Sequence, residues 1–112
     1  MAQAGRTAEQ LSGLSVRYAS FGGSGSTVEA VAAVTGKQIV VMSYVINVGT
    51  SSTIVFASET AGNLTGAMTL GAGVPSSATN AGGLFATTAG EALDINFGTS
   101  VAYGGHLAYL EV

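Results

Sequence analysis

The chain of 112 residues has no cysteine, no tryptophan, one proline and one histidine. Without cysteine there is no disulfide framework, no thiol nucleophile and no thiolate ligand. With His106 as the sole imidazole, a zinc site lacks its usual donors. Charge is nearly as scarce. Charged residues are 8% of the chain and the net charge is −3, whereas an ordinary soluble domain carries about 25% charged residues. The cations are Arg6, Arg17 and Lys37. Nucleic-acid affinity comes largely from clustered Lys and Arg, and anionic membranes are bound the same way, so neither partner is expected. Long apolar runs are also missing. Mean hydropathy is +0.49, yet the longest nearly unbroken run, Ile39 to Ile46, falls far short of the ~20 residues that a spanning helix needs. Residues 1–15 show no apolar h-region, so no signal peptide is expected and synthesis in a cytoplasm is.

The same scarcity empties the usual catalytic templates. His106, in GGHLAY, has no recognisable nucleophile or acid partner. The stretch GGSGS at 22–26 fails the G-x-S-x-G elbow at its fifth position, and no lysine follows to make a phosphate loop. Glu91 and Asp94 are three apart in a strand-like segment, so they cannot face each other across a sugar. The carboxylates read as solvated charge, and calcium loops are absent. No catalytic residue, metal site or cofactor is expected, and the chain does not read as an enzyme.

What is present is β pattern. Apolar residues make up 47% of the chain, and seventeen glycines punctuate short runs of Val, Ile, Thr and aromatics, the texture of a sandwich or barrel. Strands are expected at 15–21, 27–35, 38–48, 53–59, 64–70, 84–88, 91–97 and 101–112. Turns are expected at the glycine stretch 22–26, at VGTSS, at TAGN and at GTS. A hairpin is expected to join 38–48 to 53–59. Residues 71–83, which include Pro75, read as the longest loop. In EALDINF, Leu93, Ile95 and Phe97 face in while Asp94 and Asn96 face out. In the last strand Tyr103, Leu107 and Tyr109 share a face, and Gly104–Gly105 marks a bulge or a close backbone approach. The stretch QIVVMSYVINV (38–48) is apolar on both alternating faces, which requires cover on both sides. The fold class is all-β: an antiparallel, jelly-roll-like β-sandwich of about eight short strands (15–112), preceded by a flexible amino-terminal arm (1–14). Candidate interface residues are Arg6, Leu11 and Leu14 in the arm and Tyr44, Tyr103, His106 and Tyr109 in the strands, tyrosine being suited to contacts that bury a ring and keep a hydroxyl wet.

The carboxy-terminal third carries a pattern: Gly90, Glu91, Ala92, Leu93 and Ile95, then Val101, Gly104, Gly105, Leu107 and Tyr109. In this it resembles small β-sandwich structural proteins of tailed-bacteriophage virions, capsid decoration (cement) proteins above all. The resemblance implies a virion protein on the capsid surface, a homotrimer that clamps major capsid protein subunits and stabilises the head. The alternative is a tail, neck or head-fibre module that binds a host-surface glycan through residues 71–83.

Overall fold

A computed structural model describes residues 15–112, and among them every regular element is a strand. The strands are β1 (Arg17–Val31), β2 (Ile39–Val48), β3 (Ser52–Ser58), β4 (Gly62–Asn63), β5 (Met68–Leu70), β6 (Ser76–Thr79), β7 (Phe85–Ala86) and β8 (Leu93–Glu111). They join in one sheet, and every strand pairing is antiparallel. The expected all-β antiparallel fold is what the chain adopts. The arm, with Arg6, Leu11 and Leu14, lies outside the described residues.

β8 organises the sheet. β1 follows one edge of it, from Arg17 opposite Tyr109 to Val31 opposite Leu93. The other edge is shared in succession: β2 pairs with Tyr103–Glu111, and β3 pairs with Leu93–Phe97. The hairpin expected between β2 and β3 therefore does not form. The two strands follow one another along the same edge, and residues 49–51 carry the chain between them. That passage is pinned to β8, because the Gly49 N–H donates to the Ala102 carbonyl at 2.8 Å. β2 and β3 thus satisfy backbone groups on the long central strand rather than on one another.

The glycine stretches are strand rather than turn, another correction. β1 runs unbroken through residues 22–26, with bulges near Ser26 and Ala30, and β8 runs unbroken through GTS. Around Phe21 glycine faces glycine or an aromatic across the pair: Phe21 opposes Gly105, Gly22 opposes Gly104, and Gly23 opposes Tyr103. The Tyr103 ring stacks on Phe97 with centroids 4.8 Å apart, and its hydroxyl stands 3.4 Å from where a Gly23 Cβ would be. Aromatic rings fill the space that the glycines vacate, so strand propensity is recovered by packing. At Gly105 the expected close approach is real, since a Cβ there would overlap the Val45 carbonyl oxygen.

The sheet folds so that β3 packs over β2, giving the layers of a sandwich. Phe56 on β3 lies 4.9 Å, ring centroid to centroid, from both Tyr44 on β2 and Phe85 on β7. Around them sit Ile39, Val41, Ile46, Ile54, Leu93, Ile95 and Leu107, all almost wholly buried. Each such side chain contributes roughly 1.5–3 kcal/mol by leaving water. Leu93, Ile95 and Phe97 point inward as the alternation required.

The two-faced character of residues 38–48 has a local cause. Val41 opposes Tyr109 while Ser43 opposes Ala108, so Met42 is an extra residue, a β-bulge. Before it the inward residues are Ile39 and Val41; after it they are Tyr44, Ile46 and Val48. One buried face changes parity midway, which in the sequence looks like two apolar faces. Val40, Met42 and Val45 on the outer side are only half-buried. The bulge is fastened from outside, where the Asn80 N–H donates to the Met42 carbonyl (2.9 Å) and the Leu84 N–H to that of Val41 (2.7 Å).

Three smaller expectations change as well. The segment 71–83 contains β6, which pairs with β2 from Ser43 to Ile46, because Ser76 and Ala78 are small enough to sit half-buried against it. The strand at 64–70 contracts to Met68–Leu70, while Gly62–Asn63, read as a turn, pairs with Ala57 and Ser58. The strand at 27–35 ends at Val31.

Candidate interaction surface

Strand register fixes which side chains share the outer face of the β1–β8–β2–β6 half. One cross-strand row is Tyr18, Ala108, Ser43 and Thr79; the next is Ser20, His106, Val45 and Ser77; a third is Gly22, Gly104 and Asn47. These three rows hold no Asp, Glu, Lys or Arg, and their only ionisable side chains are His106 and the Tyr18 phenol. Most are small, so the surface is low in relief. Tyr18 stands out of it with 79% of its area exposed, and Val16 beside it is 43% exposed.

The candidate interface residues within the described chain separate. His106 is exposed on this outer face. Tyr103 and Tyr109 point the other way, half-buried against the core. Tyr44 does not belong to a surface at all: it is 7% exposed, its ring packs on Phe56 and its hydroxyl donates to the Met68 sulfur at 3.7 Å. The parity change at Met42 is what turns Tyr44 inward. Tyr18 was missed by sequence reading, since its alternation with Arg17 and Ala19 looks the same for a core or a surface tyrosine.

Ser20 and His106 are directly opposed across β1 and β8. No third group completes a relay with them among the described residues, and no group of three His, Asp or Glu there converges as a metal site. Glu29 faces Asp94 across the same pair of strands in the other half of the sheet. Burial raises the Asp94 carboxyl above its ordinary value, and the nearby Glu29 and Glu59 raise it further.

Glu91 is not a solvated strand charge. It precedes β8 and ties the 58–61 turn to the 88–91 turn. Its carboxylate accepts from the Ser58 hydroxyl (2.6 Å), the Thr60 hydroxyl, and the Thr60 and Ala61 N–H groups (2.9 and 3.0 Å). These bonds, the Ser58 and Thr60 hydroxyls first, lower its pKa to about 2. Ser58 also accepts the Thr88 N–H at 3.0 Å. Nothing in the spacing announces this knot, because its partners lie some thirty residues away.

A shallow cleft of about 330 Å³ is lined by Ser51, Ser52, Thr53, Thr69, Gly98 and Thr99. It offers hydroxyls but no aromatic platform. No protein-family model, curated protein or solved structure matches this chain.

Proposed function

We propose that the chain is a non-enzymatic structural protein of a tailed-phage virion, a head decoration protein that seats on major capsid protein subunits as a homotrimer. The observation that carries this reading is the uncharged, low-relief outer face running from Tyr18 to Thr79. An ordinary soluble surface intersperses charge of both signs; a surface used for contact has charge depleted at its centre and aromatics enriched. The resemblance of residues 90–109 to virion β-sandwich proteins supplies the identity of the partner, and those residues span most of the central strand β8. Capsid seams are bridged by shape and area in this reading, and about 1,200–2,000 Å² per contact suffices for specific binding.

The test is co-sedimentation of the purified chain with shells assembled from a tailed-phage major capsid protein. Saturable binding, weakened by Tyr18→Asp together with Val45→Asp, is expected. Shells that gain no heat resistance on binding, or that bind the double variant equally well, would remove the proposal. Glycan binding is the weaker reading, because residues 71–83 are partly paired in the sheet and the hydroxyl cleft has no aromatic wall.

A further inference from the structure

We propose that the free edge of β1 pairs antiparallel with β1 of a second copy, about a two-fold axis at Phe21. This goes beyond the shell-binding reading and does not depend on it; beside a homotrimer, the two-fold contact at this edge would join one trimer to the next. Among the described residues β1 pairs with β8 alone, so one edge of a fifteen-residue strand is left with open backbone donors and acceptors. Natural edges are commonly blunted by charge, proline or brevity. Residues 18–25 of β1 have neither charge nor proline, and its bulges fall beyond Gly25, so 17–25 is a straight template.

The occupant is argued from self-complementarity. Pairing centred on Phe21 sets Tyr18 opposite Ser24 of the second copy and Ser20 opposite Gly22. The one large outer side chain of each strand thus meets the small end of the other, and its ring can lie across Gly22. The same strand already uses this packing internally, where Tyr103 covers Gly23. No like charges are brought face to face. Arg17, which is paired with Glu111 at 3.2 Å, falls opposite Gly25, far from its own symmetry mate. Edge pairing also satisfies backbone groups at little conformational cost, because β1 is already extended. A partner chain of different sequence would have to supply a small outer residue at that one position, whereas a second copy has it by symmetry.

The test uses the full chain in sedimentation equilibrium across micromolar concentrations. A reversible association is expected, weakened about tenfold or more by Ser20→Lys, which places the natural blunting charge on the edge. It should be unchanged by Asn47→Lys, on the same face but two strands inward. The native chain lacks cysteine, so register can be read directly: Tyr18→Cys mixed with Ser24→Cys should form the mixed disulfide faster than either variant alone forms its own. A chain that stays monomeric, or an oligomer insensitive to Ser20→Lys, overturns the pairing, as does the absence of preference for the mixed disulfide. Any of these results leaves shell binding through the outer face standing, since that is measured with the capsid protein present.

Discussion

Gly105 and Val45 sit so close across β8 and β2 that a methyl group on the glycine would overlap the Val45 carbonyl oxygen. The clashing group is backbone in the middle of a sheet, and the Phe21 ring closes the same space from the other strand. Gly105→Ala is therefore expected to cost about 3 kcal/mol or more, at the upper end of overpacking effects. Gly66→Ala, where nothing lies within 4 Å, should be neutral or stabilising by up to ~1 kcal/mol. Urea unfolding of the two variants distinguishes them; equal midpoints would contradict the close approach.

Glu91 makes stability depend on acid. Its folded pKa of about 2 lies below the ordinary 4.5, so the fold binds this proton less readily than the unfolded chain does. The contribution is present above about pH 4.5 and is lost as pH falls toward 2. Glu91→Gln should lower the melting temperature at neutral pH and flatten the acid limb of the stability curve. An unchanged acid limb would mean that the knot between the 58–61 and 88–91 turns is not what acid breaks.

Asp94 has the opposite sign. Its folded pKa is raised, so its contribution favours the fold below the ordinary carboxylate range and is lost as pH rises through the folded value. At pH 7 it faces Glu29 as an unfavourable like-charge pair. Asp94→Asn should therefore stabilise the protein by roughly 0.2–1 kcal/mol, the usual size of a directly opposed cross-strand effect. The gain should shrink on acidification toward pH 4 or in high salt.

Met42 separates substitution from deletion. Its side chain is half-buried, so Met42→Ala should cost less than about 2 kcal/mol, below the usual range for a fully buried methionine. Deleting the residue removes the bulge and forces either Ile39 and Val41 or Tyr44, Ile46 and Val48 out of the core, because a one-residue slip reverses every side chain. The deletion variant should lose cooperative unfolding. Retention of a sharp transition would show that the bulge is dispensable.

The core of this fold was legible where alternation was unbroken. Leu93, Ile95 and Phe97, and the shared face of Tyr103, Leu107 and Tyr109, could be read directly because period two needs no knowledge of partners. It failed where an irregularity resets the period. The bulge at Met42 disguised one buried face as two and put Tyr44 among the surface residues. Glycine misled for a related reason. Residues 22–26 and 98–100 look like turns by composition, yet both lie within strands; at 22 and 23 a glycine or aromatic partner across the pair makes room for a bare backbone. The absence of a β2–β3 hairpin was beyond reach, since it depends on a strand that begins more than thirty residues after β3 ends. The uncharged outer face was half visible: composition showed that charge is missing, and only register shows where.

The position of β8 has a consequence for how this molecule comes into being. It holds β1, β2 and β3 together along its length, and it follows all three in the sequence. During synthesis the earlier strands must wait, without their common scaffold, until the ribosome has released Leu93 to Glu111. Closure over such long separations is slow, and until then every apolar ribbon on the nascent chain is exposed to its neighbours. A chain shortened before β8 would leave β1 without a partner and β2 and β3 with only short strands beside them, prone to aggregate rather than to assemble.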